Sequence, residues 1–382
     1  MKRSSISEEP IRRRRRRLVS ISEVIDFLEY LAPPSLESPR RPFGLQVGAA
    51  ANQVKTLIVT PLPTYSAISC AAVYKSALVI AAAPLLIEPL NSLRWDDPIG
   101  SKIAHLVQRQ VSLYALSNAY AAAPGGFDDC LAERLGLAPS GALAPTRAES
   151  QLKLVVFTPV TALQQVRQAA AEAGAGVHGA YQNCSFSTSG TGTFVPQPDA
   201  NPTIGKAGKL EEVAEMRLEM LVPQRELQGV IAAVLEAHPY EEVAYDIYPL
   251  HNPGILYGRG RIGELPLKVS LDTVLAQVND ALELDIDNRA RCSHRPGLSI
   301  GSLAVASGTG EGEQLLWAAH RQEAGAMVVG GVSLTDLALA DGGPTVVIDV
   351  GFGPSVAPGM QRLVDQLRNT FDTDGVQVVY VP

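Results

Sequence analysis

The sequence predicts an α/β body interrupted by a smaller α+β domain. In the first and last thirds of the 382 residues, continuous apolar strands alternate with amphipathic helices, a pattern typical of a mostly parallel sheet covered on both faces. Between these regions the pattern changes to two β-α-β units of the ferredoxin-like type. Hydrophobic residues make up 46% and charged residues 19% of the chain, which suits packed cores and excludes overall disorder.

The first third begins with a well-marked helix. Ser20 and Glu23 have the spacing of a capping box, apolar residues follow at helical intervals, and Pro33-Pro34 should end the helix. Further strands are predicted at 55–60, 77–80 and 111–116, and helices at 65–75 and 102–109. The segment 139–151, with its Pro, Ser and Gly residues, is predicted to be a linker.

The middle third has a different order of elements. Strands are predicted at 153–157, 216–222 and 243–248, and helices at 162–173 and 226–237. The long Ser, Thr and Gly-rich stretch from Ser185 to Gly208 is expected to be a loop. It either binds a ligand or packs at a subunit contact, and the contact is favoured.

The last third returns to the first pattern. Helices are predicted at 273–282, 313–323 and 360–371, and strands at 298–306, 326–329, 346–350 and 376–381. The predicted domains are therefore a disordered basic arm (1–17), a first α/β lobe (18–150), an insert (151–252) and a second α/β lobe (253–382).

Charge is distributed unevenly along the chain. The net charge is −7, but residues 1–17 carry eight basic and two acidic side chains, which leaves −13 on the remainder. An acidic body repels phosphate backbones, so general nucleic-acid binding by the folded part is not expected. The run Arg12 to Arg17 could bind nucleic acid or anionic lipid, or act as an import signal, but a solvated arm is favoured.

Cysteine usage and hydropathy limit the compartment. Four scattered cysteines, without a CxxC pair, indicate neither a zinc knuckle nor a disulfide framework, which favours a reducing, cytoplasmic location. The apolar run Ala77 to Ile87 is shorter than the roughly 20 residues that cross a bilayer. Glu23, Asp26 and Glu29 lie where a secretory signal would need apolar residues.

Several motifs carry a family resemblance that runs from about Val19 to the C-terminus. In the insert they are 181–187 (YQNCSFS), 190–194 (GTGTF), Asn201-Pro202, Gly205, 208–211 (GKLE) and 238–246 (HPYEEVAYD). In the flanks they are 44–48 (GLQVG), Pro84-Leu85, Pro89-Leu90, Ser92-Leu93, Asp97-Pro98, 122–126 (AAPGG), 260–265 (GRIGEL) and 348–351 (IDVG). With these motifs the chain resembles the bacterial type 2 GTP cyclohydrolase I homologues, the NGG-one-interacting-factor-three-like family, with an inserted PII/CutA-like domain.

The resemblance implies a fold, an assembly and a cofactor. It implies two similar α/β lobes that face each other across a cleft, interrupted by the ferredoxin-like insert. It also implies a toroidal homohexamer and a pair of divalent metal ions in the cleft.

The family's metal-binding motifs are degenerate in this sequence. The five expected ligand positions are occupied by Ala82, Ala83, Ala121, Phe352 and Val356. Two neighbouring acidic positions read Leu62 and Val332. Hydrocarbon side chains offer no lone pairs to a metal ion, so no metal or other cofactor is predicted. A site relocated to His178, Cys184 and His238 is the less favoured alternative.

A glycine-rich segment of the second lobe contains two arginines. Residues 258–263 match GxGxxG, but no clear strand precedes them and Pro266 blocks a following helix, so the dinucleotide-binding interpretation is rejected. Arg259 and Arg261 either hold a small anion in the cleft or form structural salt bridges, and salt bridges are favoured.

The remaining binding candidates lie in the insert: Tyr181, Cys184, Thr191, Thr193, His238, Tyr240, Glu241 and Glu242. For the residues from His238 to Glu242, a turn and strand start is the favoured alternative. No nucleophile paired with an activating base is evident, because Cys184 has no neighbouring base in the sequence.

The favoured function is that of a catalytically degenerate family member acting as a binding or scaffold protein, a pseudoenzyme that is not an active enzyme. One alternative is a hydrolase-like enzyme acting on a nucleotide or phosphorylated small molecule without the usual metals. Another is an adaptor for nucleic acid or membranes that works through the arginine arm. The expected partners are further copies of the chain and a small anionic ligand.

Overall fold

The computed structural model describes residues 17–37, 42–74, 76–138, 141–179, 181–198, 206–285, 290–292, 297–308, 312–340 and 343–382. It divides into two compact units. The first comprises Met1–Thr146 and Tyr257–Pro382, and the second Arg147–Leu256. The predicted arm lies outside the described residues except for Arg17, which forms an ion pair with Glu23.

The elements follow one another along the chain in three groups. The first group is β1 (Val19–Ser20), α1 (Ile21–Leu31), β2 (Gly44–Val47), β3 (Gln53–Val54), β4 (Thr56–Thr60), α2 (Tyr65–Val73), β5 (Ala77–Ala81), α3 (Pro98–Gln108), β6 (Ser112–Ala115), α4 (Ser117–Ala122) and α5 (Phe127–Arg134). The second is β7 (Ala142–Pro159), α6 (Leu163–Glu172), β8 (Ser185–Phe194), β9 (Glu211–Pro223), α7 (Leu227–Ala237) and β10 (Tyr245–Ser270). The third is α8 (Leu271–Ala281), β11 (Arg291–Cys292), β12 (Ser299–Ala306), α9 (Gly312–Arg321), β13 (Ala326–Val329), α10 (Leu334–Ala340), β14 (Val346–Asp349), α11 (Phe352–Phe371) and β15 (Gln377–Tyr380).

Helix α1 forms because its cap satisfies the first backbone donors. The Ser20 hydroxyl accepts a hydrogen bond from the Glu23 amide at 3.2 Å, and the Glu23 carboxylate accepts one from the Ser20 amide at 2.8 Å. The predicted capping box is therefore confirmed. The apolar face of the helix, Ile21, Val24 and Leu28, is fully buried.

The first unit contains the two-stranded sheet β1-β3 and two larger sheets. In the five-stranded sheet, ordered β15-β4-β5-β6-β2, the first four strands are parallel and β2 is antiparallel to β6. In the other sheet, β12, β13 and β14 are parallel, and β10 and β11 flank them in antiparallel orientation. Strands β4, β5 and β13 are buried at every position, as expected of parallel strands covered on both faces.

The second unit has the element order strand, helix, strand, strand, helix, strand. Strand β9 pairs in antiparallel orientation with both β7 and β8, and the sheet order is β10-β7-β9-β8. Helices α6 and α7 pack against one face of this sheet through a cluster of apolar residues: Leu152, Leu154, Val156, Val166, Ala170, Leu218, Met220, Val222, Val230 and Val234.

The structure corrects three sequence-based predictions. Most of the predicted linker 139–151 belongs to β7, and Ser185 to Phe194 of the predicted loop form strand β8. A strand does precede Gly258, because β10 continues through Tyr245–Ser270. The dinucleotide-binding interpretation still fails, since the glycines lie inside that strand and no helix follows them directly. The sequence did not reveal strand β8 because its Ser, Thr and Gly residues replace the alternation of apolar and polar residues that usually marks a strand.

Helix α11 begins eight residues before its predicted start at residue 360. It follows Gly351, whose φ of +79° favours glycine, and it accommodates Pro354 in its first turn and Pro358 inside the helix. Gly359 lets the helix approach α5 closely, since a Cβ there would lie 2.5 Å from the Phe127 ring. Within the described residues, no helix is long and apolar enough to cross a membrane.

The capping box allows a direct test of what fixes the start of α1. We expect Ser20→Ala to lower the free energy of unfolding by about 1 kcal/mol, because the Glu23 amide loses the Ser20 hydroxyl as its acceptor. Chemical denaturation of the full chain measures the change. Ser22→Ala, at an exposed position of the same helix, is the matched control and should stay within about 0.5 kcal/mol of wild type. Equal effects of the two variants would show that the cap is not important.

Candidate functional site

A small pocket lies in the first unit where strands of its two larger sheets end. Its volume is about 60 Å³. It is lined by residues that directly follow β5, residues of α4, the loop after β12 and the first turns of α11: Ala82, Ala83, Pro84, Ser117, Asn118, Ala121, Phe127, Ser307, Gly308, Phe352 and Val356. The carboxyl ends of parallel strands are where α/β proteins usually bind ligands, which makes this pocket the candidate site.

The wall formed by β5 and α4 is held by backbone contacts. The amide of Ser117 donates to the carbonyl of Ala82 at 3.0 Å, so the start of α4 is attached to the end of β5. Ser117 has a φ of +49°, in the left-handed region that costs a non-glycine residue about 1–2 kcal/mol. Packing of the surrounding residues therefore holds this corner in a strained conformation.

All five positions at which the family resemblance implies metal ligands line this pocket: Ala82, Ala83, Ala121, Phe352 and Val356. Ala82, Ala121 and Val356 are at most 3% exposed. Methyl, phenyl and isopropyl groups have no lone pairs, and a cation surrounded by them would lose its hydration without compensation. The residues present do not fit a metal pair. Within the part of the chain that the structure describes, no group of three His, Cys, Asp or Glu side chains could hold a metal ion.

The two neighbouring positions that lack the expected acids lie outside the pocket lining. Leu62 is 43% exposed, and Val332 is half-buried against the core formed by β12, β13 and α9.

One polar side chain of the pocket has unsatisfied hydrogen-bonding capacity. Asn118 is 9% exposed, and its buried Nδ2 has no hydrogen-bond partner among the described residues. By contrast, Ser355 of α11 is fully engaged near the pocket: its hydroxyl accepts from the Gly308 amide at 3.0 Å and donates to the Phe352 carbonyl at 2.7 Å. The first turn of α11 is thus attached to the loop after β12.

A buried carboxylate joins the segments on either side of the pocket. Asp128, at the start of α5, is fully buried and accepts four hydrogen bonds. They come from Arg259 Nε at 2.9 Å, the Gly260 amide at 2.6 Å, and the amide and hydroxyl of Ser307 at 2.7 and 2.5 Å. Each lone pair of the carboxylate therefore has a donor, which compensates for its burial.

The second arginine makes a parallel contact. Arg261 Nε and Nη2 lie 2.5 and 3.0 Å from the two oxygens of Asp129, a bidentate pair, and Arg261 Nη1 donates to the carbonyls of Gly258 and Gly260. Arg259 and Arg261 are 3% and 4% exposed. Both arginines thus form buried salt bridges, the alternative favoured from the sequence, and binding of a small anion stays a prediction.

The histidines are spread over both units. His105 of α3 packs its ring 5.4 Å from that of Tyr65, and His320 of α9 packs 5.6 Å from Trp317. His178 and His251 are exposed. His294 lies outside the described residues.

The binding candidates of the insert occupy several positions of the second unit. Tyr181 is 72% exposed, Cys184 is half-buried, and Glu241 and Glu242 are exposed. Thr191 and Thr193 lie on β8. His238 and Tyr240 are the candidates that contact each other, with ring centroids 5.0 Å apart.

His238 directly follows α7, and its two ring nitrogens contact the next turn and strand β7. Its Nδ1 accepts from the Tyr240 amide at 3.1 Å, and its Nε2 lies 3.1 Å from the Phe157 carbonyl. Because Nδ1 accepts, the neutral ring carries its hydrogen on Nε2 and donates it to Phe157. Burial lowers the pKa of His238 below its usual 6.5, although the Phe157 carbonyl and the nearby charge of Glu215 oppose this shift.

A larger pocket of about 660 Å³ lies elsewhere in the first unit, next to the start of α11. Its charged lining comprises Arg134 and the acids Glu283, Asp285 and Asp349. Arg134 donates to Gln361 at 2.9 Å. The excess of carboxylates makes this pocket unfavourable for a phosphate group.

Sequence reasoning missed the acidic partners of the two arginines and the unpartnered amide of Asn118. The signal for the partners was present: Asp128 and Asp129 are adjacent acids at a helix start, and Arg259 and Arg261 alternate in a strand. No sequence signal identified Asn118, because the burial of its amide depends on how α4 packs.

The Asp128 network predicts a large loss of stability when its charge is removed. Asp128→Asn removes the buried negative charge that accepts from the Arg259 guanidinium, so we expect the free energy of unfolding to fall by about 3–5 kcal/mol. Urea denaturation of the full chain measures the change. The control is Asp365→Asn, because the Asp365 side chain is 73% exposed and pairs with Arg368 at the surface. This variant should cost at most about 1 kcal/mol. Similar losses in the two variants would contradict the structural role of Asp128.

The His238 contacts predict a pH-dependent stability of α7. The folded state favours the neutral ring, so the stabilisation is complete above about pH 6.5. It decreases as the pH falls toward the lower folded-state pKa, because the unfolded chain takes up a proton first. Hydrogen exchange of α7 should therefore show a difference between wild type and His238→Gln that shrinks from pH 7.5 to 5.5.

The matched control for this prediction is Val234→Ala in the same helix, since Val234 is buried and does not titrate. Its destabilisation should be the same at both pH values. A difference between wild type and His238→Gln that is also independent of pH would show that His238 does not titrate with folding.

Comparisons with known proteins place the chain among relatives of similar length. Residues 19–382 match the family model Duf34/NIF3 (NGG1p interacting factor 3). The chain is 37% identical over 309 residues to a GTP cyclohydrolase 1 type 2 homolog of Halalkalibacterium halodurans, covering 81% of this chain and 82% of that protein. It is 34% identical over 312 residues to the homolog of Bacillus subtilis, covering 82% of each.

A solved structure agrees with these sequence comparisons. The crystal structure of a Bacillus cereus protein related to NIF3 superposes with a TM-score of 0.82 and 32% identity. The match covers 96% of this chain and 97% of that one. The chain therefore belongs to the Duf34/NIF3 family, as the motifs of its sequence predicted.

Proposed function

We propose that this chain is a catalytically degenerate member of the Duf34/NIF3 family that acts as a binding or scaffold protein and holds no dinuclear metal site. One observation carries the proposal: the five positions of the implied ligands all line one pocket, and all five side chains are hydrocarbon. Losing one ligand weakens a site, but losing all of them leaves nothing to coordinate an ion.

The packing around the pocket supports the same proposal. Val356 belongs to the hydrophobic core of the five-stranded sheet, and Phe352 packs against that core. Side chains that would reach toward ions in a metalloprotein therefore contribute to the core here. Burial of each large apolar side chain contributes about 1.5–3 kcal/mol of stability.

The alternative of a metal-independent enzyme for nucleotides or phosphorylated molecules has less support. Sites for such ligands usually enclose about 300–1,000 Å³. The candidate pocket is about 60 Å³. The larger pocket has room, but three carboxylates oppose the one arginine of its lining.

The proposal includes an architecture and an assembly. We assign the two larger sheets of the first unit to two similar lobes that face each other, and the second unit to a ferredoxin-like, PII/CutA-like insert. The element order and the sheet order β10-β7-β9-β8 support the second assignment. A cytoplasmic homohexamer is proposed by similarity to the family.

The metal content of the purified full chain tests the proposal. After incubation with excess Zn²⁺ or Mn²⁺ and desalting, elemental analysis should find less than about 0.1 ion per chain, because no donors are present at the pocket. Stoichiometric metal that resists desalting would overturn the proposal.

A variant with donors restored locates the result at the pocket. We expect Ala82→His, Ala83→His, Ala121→Asp, Phe352→His and Val356→Glu, combined in one chain, to retain metal and to show a raised melting temperature on metal addition. A control with Gln at the four His or Glu positions and Asn at position 121 should retain none. Retention by the control as well would place the bound metal elsewhere.

A further inference from the structure

The lining of the candidate pocket has a polar part and a hydrocarbon part. The polar part includes Ser117 and Asn118 of α4, together with Ser307 and Gly308 after β12. The hydrocarbon part includes the five side chains at the implied ligand positions. A ligand that fits such a lining has a polar head and a short hydrocarbon tail.

Asn118 supplies a hydrogen-bond donor that the described part of the chain does not use. Its side chain is 9% exposed, and the buried Nδ2 has no partner among the described residues. A buried amide donor without an acceptor is unfavourable. Rotation about the last bond of the side chain exchanges the two ends of the amide, so its NH2 group can turn to an acceptor in the pocket. Asn118 therefore favours a ligand that accepts hydrogen bonds.

The N-terminus of α11 adds a positive potential at the same pocket. This helix has 20 residues, and its first residue, Phe352, lines the pocket. Its first turn contains no acid, and among the described residues no side chain caps it. The helix dipole and the N–H groups of such an end favour a negatively charged acceptor. The helix end and the Asn118 amide thus select for the same kind of ligand.

The acids near the pocket are engaged by the protein. Asp128, which accepts from the lining residue Ser307, forms a buried ion pair with Arg259. Glu37 is half-buried, and its carboxylate accepts from the Ala119 amide at 3.0 Å. The lining residues that the structure describes include neither an acid nor a base. An anion here meets dipoles rather than a full positive charge, which suits a single negative charge.

The volume of the pocket limits the ligand to a few atoms. The pocket encloses about 60 Å³. A water-sized group needs roughly 10–15 Å³ on this scale, so about four non-hydrogen atoms fit, the size of acetate. Water needs two to four polar partners, which the hydrocarbon part does not offer. A halide would use the donor but leave the hydrocarbon part without contacts.

We propose that this pocket binds a short-chain monocarboxylate of the size of acetate. Its carboxylate accepts from the Asn118 amide and lies at the N-terminus of α11, and its methyl group packs against the hydrocarbon side chains. The inference rests on the proposed function, because it requires a pocket free of metal. It adds the class of ligand that this binding protein takes.

Titration of the full chain with sodium acetate tests the ligand class. Saturation-transfer NMR at the acetate methyl group measures the affinity in a buffer without other carboxylates. A ligand of this size binds with a dissociation constant no lower than roughly 50 μM, and we expect a value between about 0.1 and 10 mM. No saturation up to about 50 mM acetate overturns the proposal.

Two competitors separate a carboxylate from other small ligands. Acetamide has the shape of acetate without its charge, so it should bind at least about tenfold more weakly. Chloride has the charge without the methyl group, so an equal concentration should leave most of the acetate bound. Equal binding of acetamide, or displacement of acetate by equimolar chloride, overturns the carboxylate class.

A substitution that removes the donor locates the carboxylate. We expect Asn118→Leu to weaken acetate binding at least about tenfold. Without acetate, this variant should melt at or above the temperature of wild type, because the buried amide has no protein partner to lose. Gln165→Leu, the same change at an exposed position of α6, is the matched control and should bind like wild type. Equal affinities of the two variants contradict the role of Asn118.

A substitution that fills the pocket tests the location without changing Asn118. Ala83 is half-buried and lines the pocket, so Ala83→Leu should remove acetate binding while the chain stays folded. Binding at wild-type strength in this variant overturns the location. Elemental analysis of the same samples tests the proposed function separately. Metal-free protein that binds no acetate overturns this inference alone, whereas metal in the pocket overturns both.

Discussion

The carboxylate of Asp128 is the constraint on which the arrangement of the first unit depends. The acid lies on α5 and receives donors from two other places in the chain. Strand β10 supplies Arg259 and the Gly260 amide, and the loop after β12 supplies Ser307. Residues 128 and 259 are separated in sequence by the whole second unit, Arg147–Leu256. The network therefore closes the first unit although its two segments are far apart in the chain, and it fixes the position of two pocket-lining neighbours, Phe127 and Ser307.

The sequence predicted regular elements wherever side-chain periodicity was strong. The buried strands β4, β5 and β13 and the amphipathic helices α1 and α9 show the patterns that burial requires, so their existence and type were foreseen. Strand β8 was not, because its Ser, Thr and Gly residues are exposed on both faces and no apolar alternation marks it. The start of α11 was missed since prolines suggest an interruption, although a first-turn proline suits a helix.

The residues of the candidate site could be named from the sequence only because motifs of the family indicated the ligand positions. Composition and periodicity do not bring Ala82, Ala121 and Val356 together, since each belongs to a different element. The chemistry of the pocket then followed directly from their side chains. The long-range contacts could not be foreseen. Two features depend on how α4 and α5 pack: the choice of acids that pair with Arg259 and Arg261, and the burial of the Asn118 amide without a partner among the described residues.

The hydrocarbon lining of the pocket also affects how this protein can evolve. Its five side chains come from three chain segments, after β5, in α4 and in α11. A single mutation to histidine or aspartate there would desolvate one polar group among apolar neighbours, at a cost of about 1–3 kcal/mol, and would gain no ion in return. The benefit of coordination arises only after several donors are present together. Successive single mutations toward a metal site in this lining therefore pass through destabilised intermediates, which selection for stability disfavours.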